Sequence, residues 1–209
     1  DLPRILARFK ALLPFAAELL RGAGTGVEGL ELVSQAGAPL VDVPGIPNDG
    51  KQGGLGSVAM KLWAEEMNNP KIRFLHARRG VSETVAFDAG EESDGTRRLV
   101  ELSLVFYLLE KSRRVVFVDE LDRSLHTLLS RNLIERFLAA DPANLGQFLF
   151  TTHDTNLLDL TLLPHDSIWF VEKGGSGSST LYSLAEFKPE QLAQLGNKIE
   201  SGYLHGRFG

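Results

Sequence analysis

The chain has 209 residues, of which 43% are hydrophobic and 23% charged, so it can bury a core as one domain, or one and a half. Its net charge of −5 argues against a globally basic nucleic-acid binder, and the absence of cysteine excludes disulfides, thiolate zinc sites and a cysteine nucleophile. No apolar run approaches the roughly 18 to 20 residues needed to span a bilayer, and no secretory leader is visible, so we expect a soluble, cytoplasmic protein.

The first ninety residues predict a helical segment followed by a β-hairpin. The predicted elements are, in chain order, a helix over residues 1–21, a strand over 27–33, a helix from 57 to about 67, and two strands over 72–76 and 84–87. Residues 34 to 56 contain six glycines and three prolines, which indicates an exposed loop or linker. The last two strands are joined at Arg78-Arg-Gly80, as in a hairpin.

From residue 93 the pattern changes to an alternation of helices and strands. The predicted elements are helices at about 94–110, 124–139 and 188–198, and strands at 115–118, 147–151, 168–171 and 180–182. Gly174 to Ser179 is the turn between the last two strands. This alternation predicts the α/β class, with a mostly parallel sheet covered by helices.

The stretch from Arg113 to Glu120 carries the clearest chemical signal. A continuous apolar run, Val115 to Val118, is typical of a parallel strand buried on both faces, and two adjacent carboxylates follow it. Ligands of open α/β sheets bind at this end of the strands. Asp119 could hold Mg²⁺ and Glu120 could polarise an attacking water, the pattern of a Walker B segment in a nucleotide triphosphatase. The alternative is a solvated loop start.

Two polar segments flank this strand in the sequence. Glu92-Ser-Asp-Gly-Thr-Arg-Arg98 opens a helix, where Ser93 suits an N-cap and Gly95 lets the backbone approach an anion. Neighbouring carboxylates oppose a polyphosphate there, so a plain capped helix is the alternative. Thr151-Thr-His-Asp154 follows the next strand, and His153 could donate a hydrogen bond to a phosphate or be a surface histidine in a turn.

Gly45-Ile-Pro-Asn-Asp-Gly-Lys51 matches the first seven positions of the phosphate-loop pattern, but it is not such a loop. The next residue is Gln52, where a Ser or Thr hydroxyl would ligate Mg²⁺. Gly53 and Gly54 break the helix that should begin there, and the two prolines Pro44 and Pro47 remove backbone donors. A flexible linker is the better interpretation.

The order and spacing of these segments resemble the C-terminal half of an ABC-class ATPase core, with signature motif, Walker B, D-loop and H-loop. The quoted segments, with Asp119-Glu-Leu-Asp-Arg-Ser-Leu-His126, are especially similar to prokaryotic AAA15-type, ABC-like AAA family ATPases, many of which are associated with phage defence and toxin-like systems. The ending Tyr203-Leu-His-Gly-Arg-Phe-Gly209 is similar as well. The resemblance is strong over residues 91–209, the C-terminal lobe, and looser over an intermediate region, 1–90.

The resemblance implies a role for each matching residue. Asp119 would support Mg²⁺, Glu120 would orient or deprotonate the attacking water, and His153 would sense the γ-phosphate of ATP. Ser93, Gly95 and Thr96 would hold signature positions, touching nucleotide bound mainly by a second subunit in an ATP-sandwiched homodimer. Leu121 to His126 would form the D-loop, with Asp122 and Ser124 as its polar contacts across the dimer. Two departures affect those contacts, because Asp94 replaces a common glycine and His126 a common aspartate.

The chain has no credible Walker A loop and no recognisable Q-loop, which the family carries upstream. Without the loop that cradles the phosphates, we expect the 209 residues alone to bind ATP weakly and hydrolyse it little or not at all. The missing lobe would come from the same longer chain or from a separate one. Nucleotide-driven dimerisation would then switch an effector in defence or DNA repair.

Two other classes of function stay open at this point. One is a non-catalytic module that binds a partner protein. The other is a metal-dependent nuclease or phosphatase using Asp119, Glu120, Asp122 and His153, for which Glu172 and Asp166 are the only further ligands nearby. Nucleic-acid binding is open by family analogy, but the acidic balance offers it no support.

Overall fold

The computed structural model describes residues 2–8, 11–34, 70–78, 83–141, 143, 146–187 and 199–204. The chain forms two compact units, Asp1–Val116 with Pro142–Gln147, and Phe117–Asp141 with Phe148–Gly209. The predicted linker from residue 35 onward and the predicted helix at 57–67 lie outside the described residues. The predicted boundary between residues 90 and 91 stays a prediction.

The first unit begins with two helices, α1 (Leu2–Arg8) and α2 (Leu12–Gly22), where the sequence predicted one helical stretch. Pro14 lies in the first turn of α2, where its missing amide donor is not needed. One face of α2 is buried, and Phe15 meets Tyr107 edge to face, with ring centroids 5.5 Å apart. The chain leaves the helix through Gly24, at φ +67°.

A three-stranded antiparallel sheet follows, in the order β1 (Val27–Val33), β2 (Lys71–Ala77) and β3 (Thr84–Asp88). Val33 pairs with Lys71 at one end of the first ladder, and Ala77 pairs with Thr84 at the start of the second. The predicted pairing of the two hairpin strands is therefore confirmed, and residues 79–82 of the predicted turn lie outside the described residues. All five residues of β3 are exposed, and it is the outer strand of this sheet among the described residues.

Helix α3 (Asp94–Lys111) packs against α2 and completes the core of the first unit. Its bounds agree with the prediction to within one residue. The buried side chains recur at helical spacing and are Thr96, Leu99, Val100, Leu102, Ser103, Phe106 and Leu109.

The strands β4 (Val115–Val118) and β5 (Gln147–Phe150) pair with each other. The amide of Gln147 donates to the carbonyl of Arg114 at 2.8 Å and that of Thr151 to Val118 at 3.0 Å, so the strands run parallel. Gly146 precedes β5, and a Cβ atom there would lie 2.2 Å from the carbonyl oxygen of Arg114. Only glycine permits this approach.

Burial along β4 differs from the sequence expectation. Val118 is 7% exposed, but Val115 and Phe117 remain 67% and 62% exposed, so the strand is not buried on both faces. The reason is that alternate residues point to opposite faces, and only one of those faces is covered.

Helix α4 (Thr127–Ala139) forms the crossover between these parallel strands. It begins three residues after the predicted start at Ser124, because Ser124 has φ +62°, which no right-handed helix can include. His126 caps it instead, its Nδ1 accepting the amide of Leu128 at 3.3 Å.

The second unit also contains a hairpin of β6 (Trp169–Lys173) and β7 (Ser179–Ser183) and, later in the chain, α5 (Ile199–Leu204). One cluster of buried residues around this hairpin consists of Ile168, Phe170, Leu184 and Ile199. Both strands are slightly longer than predicted, and residues 188–198, predicted as a helix, lie outside the described residues. The α/β class with a parallel strand pair and covering helices is confirmed. Among the described residues, no helix combines the length and apolarity required to cross a membrane.

Candidate active site

The acidic pair lies in the turn that leaves β4, in the second unit. Val118 before it and Leu121 after it are buried, so the backbone is anchored on both sides while Asp119 and Glu120 face solvent. The carbonyl of Thr151 accepts the amide of Leu121 at 2.9 Å, which ties the turn to the end of β5. The two strand ends therefore present their polar residues together, as predicted for adjacent parallel strands.

The side chain of Thr151 contacts both acidic residues. Its Oγ1 accepts the amide of Glu120 at 2.9 Å and donates to Oδ1 of Asp119 at 2.5 Å. Glu120 has φ +51°, a left-handed conformation that is unfavourable for a residue with a Cβ atom. The sequence analysis placed Thr151 at the start of the segment Thr151-Thr-His-Asp154 but assigned it no role.

His153 reaches the same edge of the strand pair. Its Nε2 lies 4.0 Å from Oε1 of Glu120, and its side chain is 85% exposed. Its backbone amide donates to Oδ1 of Asp122 at 3.3 Å. The structure thus brings four predicted residues together: Asp119, Glu120, Asp122 and His153.

The predicted D-loop is a tight turn. The amide of Arg123 donates to the carbonyl of Glu120 at 3.1 Å, and that of Leu125 to Asp122 at 2.9 Å. Ser124 lies exposed at the apex of this turn. Asp122 is half-buried and already accepts the His153 amide, so Ser124 is the more accessible of the two predicted polar contacts.

The loop after His153 is held by charged groups. Partial burial raises the pKa of Asp154, but hydrogen bonds from Thr127 and Asn156 outweigh it and leave the pKa below its ordinary value. Hydrogen bonds from the Thr161 hydroxyl, Arg131 and the Thr161 amide lower the pKa of Asp159 to about 2. The 2.7 Å contact between Arg131 and Asp159 fastens this loop to α4.

The predicted signature residues lie in the first unit. Ser93 is the N-cap of α3, and its Oγ accepts the amide of Thr96 at 3.1 Å and lies 2.8 Å from the Thr96 hydroxyl. Ser93 is exposed, Gly95 is half-buried and Thr96 is buried. Asp94 forms an exposed ion pair with Arg97, which moderates the negative charge at this helix end.

A contact that the sequence did not reveal supports this helix end. Nε2 of His76 lies 2.5 Å from Oε1 of Glu92, whose side chain is only 8% exposed. Phe87 meets the His76 ring edge to face at 5.1 Å. An open cavity of about 450 Å³ adjoins the pair and is lined by His76, Ala77, Arg78, Val85, Phe87, Glu91 and Glu92.

The donor set fits Mg²⁺ with a nucleotide better than a protein-only metal centre. Mg²⁺ usually keeps several waters and takes one or two carboxylates beside substrate phosphates, which suits the exposed Asp119. Across the part of the chain that the structure describes, no three His, Asp or Glu side chains gather closely enough to hold an ion by themselves. The nuclease or phosphatase alternative therefore finds no support in the described residues.

The chain is similar to known proteins in sequence and in fold. Residues 67–159 match the family model described as "AAA domain, putative AbiEii toxin, Type IV TA system". No curated protein matches the chain significantly. A solved structure described as "Structural biochemistry of ATP-driven dimerization and DNA stimulated activation of SMC ATPases" is similar in fold. The TM-score is 0.52, the sequence identity is 15%, and the match covers 95% of this chain and 97% of that one. Residues 67–159 are therefore similar in sequence to this AAA domain family, and the fold of the chain is similar to that of an SMC ATPase.

Proposed function

We propose that the chain is the C-terminal part of an ABC-like ATPase whose ATP-dependent homodimerisation switches an effector in anti-phage or toxin-type defence, or in DNA repair. The observation that carries the catalytic part is the meeting of Asp119 and Glu120 with His153 at the ends of two parallel strands. The family match supports the ATPase chemistry. The description of that family as a putative toxin of a Type IV TA system supports the defence context.

The acidic turn would perform the hydrolytic step. Bound Mg²⁺ would supply charge neutralisation at the β- and γ-phosphates. Asp119, exposed at the strand end, would hold the cation, and Glu120 would orient the attacking water and take up its proton. His153, 85% exposed, would donate a hydrogen bond to the γ-phosphate.

The N-terminus of α3 would contact nucleotide bound by the other copy. Its first amides and helix dipole favour an anion, and Ser93 and Gly95 leave the backbone accessible. Thr96 is buried, so it would act by holding Ser93 in its capping position. Ser124 at the apex of the D-loop turn would contact the other copy of the dimer, with Asp122 behind it.

The phosphate loop must come from outside the 209 residues, because Gly45 to Lys51 lacks the hydroxyl and helix start that such a loop requires. We therefore propose that a further lobe, in the same polypeptide or in a separate one, binds most of the triphosphate. The chain alone would show little or no turnover.

The test compares ATP turnover of the chain alone with that of the chain joined to or mixed with the lobe carrying the phosphate loop. We expect turnover only in the second case, with loss in Glu120→Gln and retained ATP binding. Efficient hydrolysis by the chain alone, unchanged in Glu120→Gln, would end the proposal. Absence of measurable ATP affinity with the lobe present would instead favour a non-catalytic interaction module.

A further inference from the structure

We infer that Thr151 is a positioning residue for the acidic pair: its hydroxyl orients the Asp119 carboxylate and holds Glu120 in its left-handed conformation. The inference rests on the proposed ATPase function for its catalytic consequence. Its structural part, that Thr151 fixes the geometry of the turn, does not depend on that function. Nothing in the motif pattern assigns a role to this threonine, which directly follows an apolar strand.

Thr151 makes hydrogen bonds to four consecutive residues of the turn. Its amide donates to Val118 at 3.0 Å, and its carbonyl accepts from Leu121 at 2.9 Å. Between them, its hydroxyl reaches Asp119 at 2.5 Å and Glu120 at 2.9 Å. Its backbone thus fixes the ends of the segment and its side chain fixes the two acidic residues at its centre.

The polarity of the hydroxyl is determined by its partners. The Glu120 amide can only donate, so the Thr151 oxygen accepts there, and the hydroxyl proton is directed to the carboxylate of Asp119. The contact uses Oδ1 of Asp119, so it sets the carboxylate plane while the other oxygen can still meet a cation. A preset orientation of this kind reduces the cost of ordering the ligand when Mg²⁺ arrives.

The same hydroxyl supports the conformation of Glu120. A positive φ costs about 1 kcal/mol or more for a residue with a Cβ atom, and it persists only when surrounding contacts hold it. The Thr151 oxygen holds the amide of Glu120, and the Arg123 amide holds its carbonyl at 3.1 Å. Without the hydroxyl, the Glu120 amide would lose this hydrogen bond, while the Arg123 amide would still donate to the Glu120 carbonyl.

The experiment compares Thr151→Val, which keeps the shape and removes the hydroxyl, with Thr151→Ser, which keeps the hydroxyl. Thr152→Val is the matched control, because the Thr152 hydroxyl accepts the amide of Asp154 at 3.0 Å instead of contacting the acidic pair. All three are single substitutions of the full chain. Thermal unfolding verifies that each variant is folded.

The first readout is hydrogen exchange of the Glu120 amide, measured by NMR in the 209-residue chain. We expect Thr151→Val to accelerate it by about fivefold to tenfold, the change that one lost hydrogen bond of this kind produces. Thr151→Ser and Thr152→Val should leave it within about twofold of wild type. Equal exchange in Thr151→Val and wild type would overturn the structural part.

The second readout is ATP turnover with the lobe carrying the phosphate loop present, titrated with Mg²⁺. Thr151→Val should lower kcat by about tenfold and raise the half-saturating Mg²⁺ concentration, with little change in the KM for ATP, since the contacts act on the reacting geometry. Thr151→Ser should restore both values. Impairment of the serine variant with wild-type values in the valine variant would overturn the inference, because it would indicate packing of the methyl group, which valine keeps.

The two proposals fail in different ways. If wild type and Glu120→Gln show the same turnover, the ATPase proposal fails. Amide exchange still decides in that case whether Thr151 holds the turn. If Glu120→Gln abolishes turnover and Thr151→Val does not alter it, the ATPase proposal stands and the inference about Thr151 is wrong.

Discussion

The imidazole of His153 and the carboxylate of Glu120 face each other across two strand ends, with Nε2 4.0 Å from Oε1. The two residues are far apart in sequence and meet because β4 and β5 run parallel and end at the same edge. Neither side chain is buried, so both can still contact a substrate.

Replacing Glu120 tests the proposed chemistry directly. We expect Glu120→Gln to lower ATP turnover by about a hundredfold or more, because a positioned general base contributes on this scale. ATP binding should persist, since the amide leaves Asp119 in place. Glu172→Gln, on the exposed surface of β6, is the control. The measurement is the rate of phosphate release in the presence of the lobe that carries the phosphate loop. Equal rates in the two variants would contradict the role assigned to Glu120.

Replacing His153 removes the exposed imidazole that faces Glu120. His153→Ala should lower turnover by about tenfold to a hundredfold, the range expected for one hydrogen bond to a charged phosphate. His165→Ala alters an exposed histidine in the turn His165–Ser167 and should leave the rate unchanged. Steady-state kinetics of the two variants are the measurement. A wild-type rate in His153→Ala would remove this residue from the mechanism.

The contact between His76 and Glu92, the residue before the Ser93 cap, predicts an effect on the stability of the fold. His76→Ala leaves the nearly buried Glu92 carboxylate without this partner, so we expect a loss of about 2 kcal/mol in the free energy of unfolding. Arg73→Ala on the same strand breaks only the exposed pair with Asp88 and should cost at most about 1 kcal/mol. Urea unfolding ranks the two. The reverse order would show that His76 is not a structural anchor.

Asp159 predicts a pH dependence. Its pKa is lowered from 3.8 to about 2, so its carboxylate stabilises the fold above pH 3.8, and this contribution disappears as the pH falls toward about 2. Because the group is partly exposed, we expect Asp159→Asn to cost only about 1 kcal/mol at neutral pH. The difference in the free energy of unfolding between Asp159→Asn and wild type should shrink as the pH falls from 3.8 toward about 2. Unfolding midpoints at several pH values test this, with exposed Asp166→Asn as control.

Gly146 predicts a steric effect at the start of β5. Gly146→Ala would place Cβ 2.2 Å from the Arg114 carbonyl, so the backbone must shift, at a cost of about 3 kcal/mol. Gly175→Ala, where a Cβ atom meets nothing within 4 Å, should change stability by less than about 0.5 kcal/mol. Thermal unfolding of both variants gives the comparison. Similar melting temperatures would refute the steric argument.

Much of the second half of the chain could be predicted, because apolar runs and helical repeats alternate clearly there. Asp119, Glu120 and His153 were proposed as site residues because they lie within three residues of the end of an apolar strand, where side chains converge. The start of α4 was wrong: serine is a common N-cap, and nothing local revealed the positive φ of Ser124.

The contributions of Thr151 and His76 could not be predicted for a different reason. Threonine favours strands by itself, so its presence at the end of β5 needed no second explanation. The contact from His76 to Glu92 joins residues on separate elements and depends on the hairpin register, which pairs His76 with Val85. Contacts of this kind follow from tertiary packing.

The four hydrogen bonds of Thr151 make the alignment of β5 more important than the length of the crossover before it. A residue inserted within β5 would move Phe150 into the position of Thr151 and turn the Thr151 side chain to the opposite face, away from Asp119. Extra residues beyond the end of α4 should therefore be tolerated, whereas a single residue inserted between Gln147 and Thr151 should disconnect the acidic turn from its neighbour.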